Sequence, residues 1–321
     1  MAAVAVVCLG AISAELGIRA RLFFKDPHRW DERGLFRYRP DCQVGDSPDL
    51  TTNNHGFFGP DLAVPKPADA CRVLLVGSSP LVTPEIPRVV QETLNARLPG
   101  RVVQVNTTGL PRYTSYHNAL LFEHYLVDLE PDCVVLYLGL NDNVYNTNPG
   151  LEGEPPTGLW NWADPSSSLV LDMLGYHAIH KRFRVRPDFE AIRSAAILEN
   201  HLRRIIELAE TRGIRIVLVK MAVGYPSDDP ELVSVIRDAE RPMRHFWGDL
   251  EPCLRALEAH NALFERLAAE FRLPLVDAQS ALPPTSEVFW DLCHFTPGGN
   301  ERFASFVADR VGDVLTKKEG Q

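Results

Sequence analysis

The sequence lacks clustered positive charge, paired cysteines and long apolar runs, and each absence excludes a class of protein. Its 42 acidic side chains outnumber its 33 basic ones, which gives a formal net charge of −9. No stretch of the chain forms a basic stripe, so we expect no nucleic-acid partner. No internal repeat with a period of about 20 to 50 residues is present, although repeat architectures require one.

The six cysteines are scattered through the chain without a metal-binding pattern. None belongs to a Cys-x-x-Cys pair or has a histidine at ligand spacing, so the sequence predicts no metal site. Cys133 lies in an apolar run and is expected to be a small buried hydrophobic residue. The even number of cysteines permits disulfides, and Cys42 with Cys71 is the first pair to consider.

The longest apolar run lies at the N-terminus and is short for a membrane span. It extends from residue 2 to residue 14, whereas a membrane-spanning helix needs about 20 such residues. Three interpretations of residues 1–24 therefore stay open. They are the remnant of an anchor, an interfacial helix that associates with a membrane through residues 2–14, or an apolar helix packed on the domain.

Composition divides the rest of the chain into two parts. Residues 25–70 are rich in proline, glycine, aspartate and aromatic residues without sustained periodicity, which is typical of an extended arm wrapped on a domain. Residues 71–321 alternate strand-like and helix-like segments and are expected to form one large domain. An insertion at about residues 148–187 interrupts that alternation.

Five short apolar runs predict a sheet that is buried on both faces. They are Val73–Val76, Val102–Val105, Val134–Tyr137, Ile214–Val219 and Leu273–Val276. Apolar stripes at helical spacing predict helices over residues 198–209 and 254–267, and Thr296-Pro297 is expected to begin the last helix. This pattern predicts an α/β fold, a three-layer α/β/α sandwich around a mostly parallel sheet of about five strands.

Polar motifs follow the first three predicted strands. Ser79 comes after the first strand, Gly109 after the second and Asn141 after the third. Asp291 and His294 lie in the loop before the last helix. Because the carboxyl ends of parallel strands meet at one edge of a sheet, we expect all five residues to converge there.

These residue types supply the parts of an acyl-transfer site. A serine hydroxyl needs a base near neutral pH, and histidine has a reference pKa of about 6.5. Asp291 is close enough in sequence to fix the tautomer of the His294 ring and to stabilise its protonated form. The backbone N–H groups of Ser79 and Gly109 and the side-chain amide of Asn141 would meet the developing oxyanion.

With these motifs the chain resembles the SGNH hydrolase superfamily, also called GDSL esterases and lipases, over roughly residues 72–314. That family has Gly-Asp-Ser at the nucleophile, a lone glycine and Gly-x-Asn-Asp at the oxyanion, and Asp-x-x-His to complete the triad. The matching positions are Ser79, Gly109, Asn141, Asp291 and His294. Residues 53–60 also resemble a segment found upstream in bacterial members. The resemblance implies a flavodoxin-like fold and no metal or organic cofactor.

The chain departs from the family pattern around the nucleophile. Ser78 stands where the family has aspartate, and Pro80-Leu81 replaces an apolar residue followed by threonine. Matching the preceding strand without a gap assigns Ser79 as the nucleophile. A shift of one residue would assign Ser78 instead.

Two tryptophans in the insertion are a further candidate feature. Trp160 and Trp162 lie in the segment that leaves the active edge of the third strand. One hypothesis makes them a lid or a wall for the acyl chain, and the other assigns them to ordinary packing.

The leading hypothesis is a serine esterase that hydrolyses a carboxylic ester of a small molecule or a glycan through an acyl-serine intermediate. Two alternatives stay open. One is a glycan O-acyltransferase that uses the same triad, and the other is a non-catalytic relative that acts as a binding or assembly component. A membrane-associated or periplasmic location in a bacterium is favoured, with the cytoplasm as the alternative.

Overall fold

A parallel β-sheet is the centre of the fold. The structure, a computed structural model, describes residues 28–30, 36–44, 50–151 and 185–317 of the chain. Its strands are β1 (His28–Trp30), β2 (Phe36–Tyr38), β3 (Ala70–Gly77), β4 (Val102–Thr107), β5 (Cys133–Tyr137), β6 (Arg215–Val219) and β7 (Leu275–Val276). β1 and β2 pair antiparallel, and the other five form one parallel sheet in the order β4-β3-β5-β6-β7. The five predicted strands are confirmed, and their order is that of flavodoxin-like folds.

Side chains of the sheet alternate between two apolar cores, one on each face. In β3, Val73 and Leu75 belong to the first core, whereas Leu74 and Val76 belong to the second. All four side chains are buried. A strand covered on both faces needs apolar residues at every position, which explains the continuous apolar run in the sequence.

Helices cover both faces of the sheet and complete the predicted three-layer sandwich. They are α1 (Glu85–Arg97), α2 (Ser115–Leu121), α3 (Val144–Thr147), α4 (Ser194–Thr211), α5 (Pro230–Trp247), α6 (Leu250–Phe271), α7 (Ala278–Ala281) and α8 (Pro297–Thr316). α1 and α8 pack on the first core, and α2 and α4 pack on the second. The predicted helices at 198–209 and 254–267 lie within α4 and α6. α8 begins as predicted, because the Thr296 hydroxyl accepts the Gly299 N–H at 3.0 Å.

The chain before the sheet packs along the outer strand β4. Phe58 and Thr107 exchange two backbone hydrogen bonds, of 3.1 and 2.8 Å. Phe57 and Phe58 are buried in the second core. The Asn53 side-chain oxygen accepts the N–H groups of His55 and Phe57, which holds the turn before the bridge. Since the outer edge of β4 has backbone groups without a strand partner, the Phe58 bridge covers part of an edge that would otherwise be open.

Two other expectations from the sequence have a structural outcome. Cys133 is fully buried, as predicted. The disulfide considered for Cys42 and Cys71 is not formed, because Cys71 lies in the first core and the Cys42 thiol contacts the Gln43 carbonyl oxygen at 3.4 Å. Within the described ranges, no helix is both long enough and apolar enough to cross a membrane. The apolar segment at residues 2–14 lies outside those ranges.

Candidate active site

Ser79 lies just beyond the carboxyl end of β3, at the start of a 3-10 turn formed by Ser79–Leu81. Gly77 ends the strand so close to β5 that a Cβ atom there would overlap the Tyr137 carbonyl oxygen. Glycine therefore lets the two strands approach directly beneath the turn. Ser79 is partly exposed, whereas Ser78 is only 4% exposed. Of the two adjacent serines, Ser79 is the one whose hydroxyl contacts a histidine.

His294 connects Ser79 with Asp291. The His294 Nε2 atom lies 2.9 Å from the Ser79 Oγ atom, and the Nδ1 atom lies 2.7 Å from Asp291 Oδ2. When Nδ1 donates its hydrogen to the carboxylate, Nε2 is left as an acceptor for the serine proton. The structure thus brings together the three side chains that the sequence motifs singled out, although Ser79 and His294 are 215 positions apart.

The Asp291 carboxylate also fixes the turn that carries His294. Its Oδ1 atom accepts the backbone N–H groups of Cys293 and His294, both at 2.8 Å. On either side of the turn, Phe289 and Phe295 form an antiparallel bridge and are buried. A spacing of three residues therefore lets one carboxylate close the turn with one oxygen and orient the ring with the other.

The electrostatics of this turn favour a charged carboxylate. Burial would raise the pKa of Asp291, but hydrogen bonds from His294 and from the backbone hold the pKa below its usual value. Asp291 consequently stays ionised at neutral pH and stabilises positive charge on the imidazole. Cys293 behaves in the opposite way, since burial raises the pKa of its thiol well above the usual value.

Asp291, Cys293 and His294 also bring their donor atoms within 4.8 Å of one another, a spacing that a metal ion could use. Their chemistry fits a metal poorly. Thiolate rather than thiol is the ligand form of cysteine, and the raised pKa of Cys293 keeps its proton in place. The carboxylate and the imidazole are already hydrogen-bonded to each other.

Asn141 lies in a 3-10 turn after β5, and two neighbours fix the orientation of its amide. Its Nδ2 atom donates to the Tyr113 carbonyl oxygen at 3.0 Å, and its Oδ1 atom accepts the Trp247 Nε1–H at 3.1 Å. A carbonyl oxygen only accepts and an indole N–H only donates, so the amide has one orientation that satisfies both. One Nδ2 hydrogen remains, and this is the donor that an oxyanion would need.

Gly109 packs against the turn that carries Ser79. A Cβ atom at Gly109 would lie 2.7 Å from the Leu81 carbonyl carbon and 2.8 Å from the Ser78 carbonyl oxygen. The Gly109 N–H donates to Thr107 Oγ1 at 3.2 Å, a long hydrogen bond. An oxyanion would therefore share this N–H with Thr107. The Ser79 N–H starts its turn and has no acceptor within the turn.

A second serine, histidine and aspartate meet nearby with a different order of contacts. Asp142 accepts the N–H and the hydroxyl of Ser115, and the Ser115 Oγ atom lies 2.8 Å from His201 Nδ1. Here the serine lies between the carboxylate and the imidazole, so the acid does not orient the base as it does in a catalytic triad. Ser115 is also fully buried, whereas a nucleophile must reach its substrate. We interpret this cluster as a link between the turn after β5 and the start of α2.

Two tryptophans beside the site were not identified from the sequence. Trp247 holds the Asn141 amide from the end of α5. Trp290 precedes Asp291, is 59% exposed, and has its ring centroid 5.3 Å from that of His294. The tryptophans that the sequence did single out, at positions 160 and 162, lie outside the described residues.

A model of the GDSL-like lipase/acylhydrolase family matches residues 77–302, which is more than two thirds of the chain. The protein belongs to this family and is a hydrolase of the esterase or acylhydrolase type. This finding argues against the non-catalytic alternative and agrees with the resemblance seen in the motifs.

Several solved structures resemble the fold. A GDSL-like lipase from Bacteroides thetaiotaomicron VPI-5482 has 18% identity, with 79% of this chain and 93% of that chain covered and a TM-score of 0.45. An acetylxylan esterase from Geobacillus stearothermophilus has 15% identity, 75% and 94% coverage, and a TM-score of 0.47. A lipase/acylhydrolase from Enterococcus faecalis has 15% identity, 78% and 100% coverage, and a TM-score of 0.48. No curated protein matches the sequence.

Proposed function

We propose that the protein is a serine carboxylesterase that hydrolyses its substrate through an acyl-serine intermediate on Ser79. The observation that carries the proposal is the unbroken path of hydrogen bonds from Ser79 through His294 to Asp291. An activated serine nucleophile needs such a base within hydrogen-bond reach and an acid that orients the base. Ser79 is also partly exposed, so a substrate could reach it.

In the first step, the Ser79 Oγ atom attacks the ester carbonyl carbon while its proton moves to His294 Nε2. The carbonyl oxygen becomes an oxyanion and accepts hydrogen bonds from the Asn141 amide and from the N–H groups of Ser79 and Gly109. Collapse of this intermediate breaks the bond to the alcohol, which leaves with the proton from His294. Water then attacks the acyl-serine in the same way, and its products are the carboxylic acid and free Ser79.

Labelling with a fluorophosphonate tests this proposal, because an activated serine attacks phosphorus and displaces fluoride. In the full chain, we expect peptide mapping to place the label on Ser79. Ser79→Ala and His294→Ala should lose the label and should lower p-nitrophenyl acetate hydrolysis by roughly a thousandfold or more. Ser78→Ala is the matched control and should keep the label.

Each other outcome would contradict a specific part of the proposal. A label on Ser78 would move the nucleophile by one residue. A label on Ser115 would assign the chemistry to the buried cluster with Asp142. A folded wild-type protein that takes no label and hydrolyses no ester would contradict the serine mechanism itself.

A glycan O-acyltransferase is the second candidate, and Trp290 offers a surface that suits a sugar as alcohol or as acceptor. The exposed ring of Trp290 lies beside His294, the residue that returns a proton to the departing alcohol. The flat apolar surface of a tryptophan, with a polar edge, suits the apolar face of a sugar ring. Product analysis with an added acceptor sugar separates the candidates. An acylated sugar would indicate transfer, whereas free acid alone would indicate hydrolysis.

We also propose how the chain is divided into domains. Residues 71–321 would form the hydrolase domain with an insertion at about residues 148–187, and residues 25–70 would form the arm. The Thr147 carbonyl oxygen accepts the Arg186 N–H at 2.7 Å. The chain thus returns to the point where it left, which supports the boundaries of the insertion.

A further inference from the structure

An apolar pocket lies between α5 and the first turn of α6, and Leu292 also lines it. It has a volume of about 300 Å³, part of which is open to solvent. Its apolar wall includes Ile236, Ala239, Met243, Trp247, Leu250 and Leu292. The four residues from α5 recur at spacings of three and four, so they form one stripe of the helix.

Two residues of this wall also belong to the neighbourhood of the reacting groups. Trp247 lines the pocket, while its Nε1–H holds the Asn141 oxygen at 3.1 Å. Leu292 lines the pocket from within the turn that Asp291 closes and that carries His294. The pocket therefore shares one wall residue with the Asn141 hydrogen bond and another with the turn that carries the acid-base pair.

The pocket offers little to a polar or charged ligand. Of the lining residues that the structure describes, Glu240 carries the only charge. Its carboxylate accepts the Leu250 N–H at 3.1 Å at the start of α6, so it is held by the helix rather than left for a ligand. The base of the pocket is buried at Cys253 and Leu292, and its rim is partly exposed at Met243 and Trp247.

We propose that this pocket is the acyl-binding subsite and that it selects short, unbranched acyl groups of about two to four carbons. The inference rests on the proposed esterase function. In the acyl-serine, the carbonyl oxygen faces Asn141 and the alcohol departs beside His294. The alkyl chain then leaves the carbonyl carbon in the remaining direction, and this pocket is an apolar surface whose wall residues Trp247 and Leu292 are the neighbours of both groups.

The length limit follows from the size of the pocket. The space in it that water-sized groups can occupy is about 20 Å³, which is enough for one or two of them. A methyl or ethyl terminus would fill that space, and a longer chain would extend past the rim into solvent.

A chain-length series tests the pocket in two directions. We expect the wild-type kcat/KM to be highest for p-nitrophenyl acetate or butyrate and at least tenfold lower for the octanoate. Met243→Ala enlarges the pocket and should raise the octanoate-to-acetate ratio of kcat/KM at least fivefold. Ala239→Leu fills the pocket and should lower the butyrate-to-acetate ratio of kcat/KM by a similar factor. Each methylene buried in the pocket is worth about a fourfold change in kcat/KM. Val235→Leu, on the exposed side of α5, is the matched control and should leave both ratios unchanged.

A second measurement needs no variant and so does not depend on folding of the substituted chains. Alkylboronic acids from methyl to octyl bind reversibly to an activated serine, with boron in the place of the carbonyl carbon, and we expect wild-type inhibition to be strongest at propyl or below. Equal ratios in all variants, or inhibition that rises steadily to octyl, would overturn the pocket proposal while leaving Ser79 hydrolysis intact. A wild-type protein that hydrolyses no ester in the series and takes no fluorophosphonate would instead overturn the proposed function.

Discussion

At the scale of single residues, the orientation of one side-chain amide decides whether Asn141 can serve as an oxyanion donor. The Tyr113 carbonyl and the Trp247 indole impose that orientation from opposite sides. A flipped amide would direct its oxygen at the Tyr113 oxygen and its NH₂ group at another donor. Trp247 is therefore a positioning residue that acts through Asn141. Trp247 and Asn141 are 106 positions apart in the chain, so no local motif revealed the role of Trp247.

The substitution Trp247→Phe removes the indole N–H and keeps most of the ring surface. We expect kcat for a short-chain ester to fall about tenfold with little change in KM, because Asn141 keeps its hydrogens and loses its restraint. Asn141→Ala should lower kcat by roughly 100- to 1000-fold. In that background Trp247→Phe should cause no further loss. A full tenfold loss in the double variant would show that Trp247 does not act through Asn141.

At the scale of helices and strands, the sequence predicted an element wherever its own residues show how it is packed or where it begins. β3 and β5 have continuous apolar runs because both faces are covered, and the capping threonine of α8 is a local signal. α5 was not identified. A proline at position 242 argues against a helix that continues past it, yet α5 extends to Trp247.

The candidate site was likewise predictable only in part. The convergence of Ser79, Asp291 and His294 follows from topology, since parallel strands end at one edge of the sheet. The hydrogen bond from the Gly109 N–H to Thr107 did not follow from any motif. The pocket along α5 did not follow from a motif either. Both this hydrogen bond and the pocket depend on how separate segments of the chain pack together.

The link between the turn after β5 and the start of α2 depends on pH through Asp142. Burial raises the pKa of Asp142 to about 7 from an ordinary value of 3.8. Between these two pH values the folded protein retains a proton that the unfolded chain has lost. The stability contributed by this proton is therefore fully present below about pH 4 and is lost as the pH rises to about 7.

Comparison of the wild type with Asp142→Asn isolates this contribution. The free energy of unfolding of the wild type relative to the variant should fall between pH 5 and pH 7, by at most about 1.4 kcal/mol per pH unit, and should level off above that range. Urea unfolding at a series of pH values measures it. A flat profile for Asp142→Asn would contradict the raised pKa.

At the scale of the whole molecule, the segment before the sheet closes part of its outer edge. Glycine at position 59 allows this segment to contact β4 for two reasons. Its φ angle is +131°, in a region that L-residues rarely adopt, and a Cβ atom there would overlap the Val105 carbonyl oxygen of β4. The Phe58 bridge to Thr107 depends on that close approach.

Gly59→Ala should therefore destabilise the protein and expose the edge of β4. Gly100→Ala is a matched control, because Gly100 also has a positive φ, +86°, but has open space where a Cβ would lie. We expect a loss of about 1 kcal/mol for Gly100→Ala and a clearly larger loss for Gly59→Ala in urea unfolding. Only the Gly59 variant should aggregate more on storage, as light scattering would report. Equal losses would show that backbone strain alone matters at position 59.

The short turn from Trp290 to His294 has an evolutionary consequence. In the proposed mechanism it carries the surface beside the departing alcohol at position 290, the acid at 291, a wall of the pocket at 292 and the base at 294, and the buried bridge between Phe289 and Phe295 holds its ends. Under the proposed mechanism, the two halves of an ester would meet positions 290 and 292, whereas the reacting pair is at positions 291 and 294. A lineage could acquire a new substrate with two point changes and inherit the chemistry unaltered, and a small library at these two positions would sample the same divergence in the laboratory.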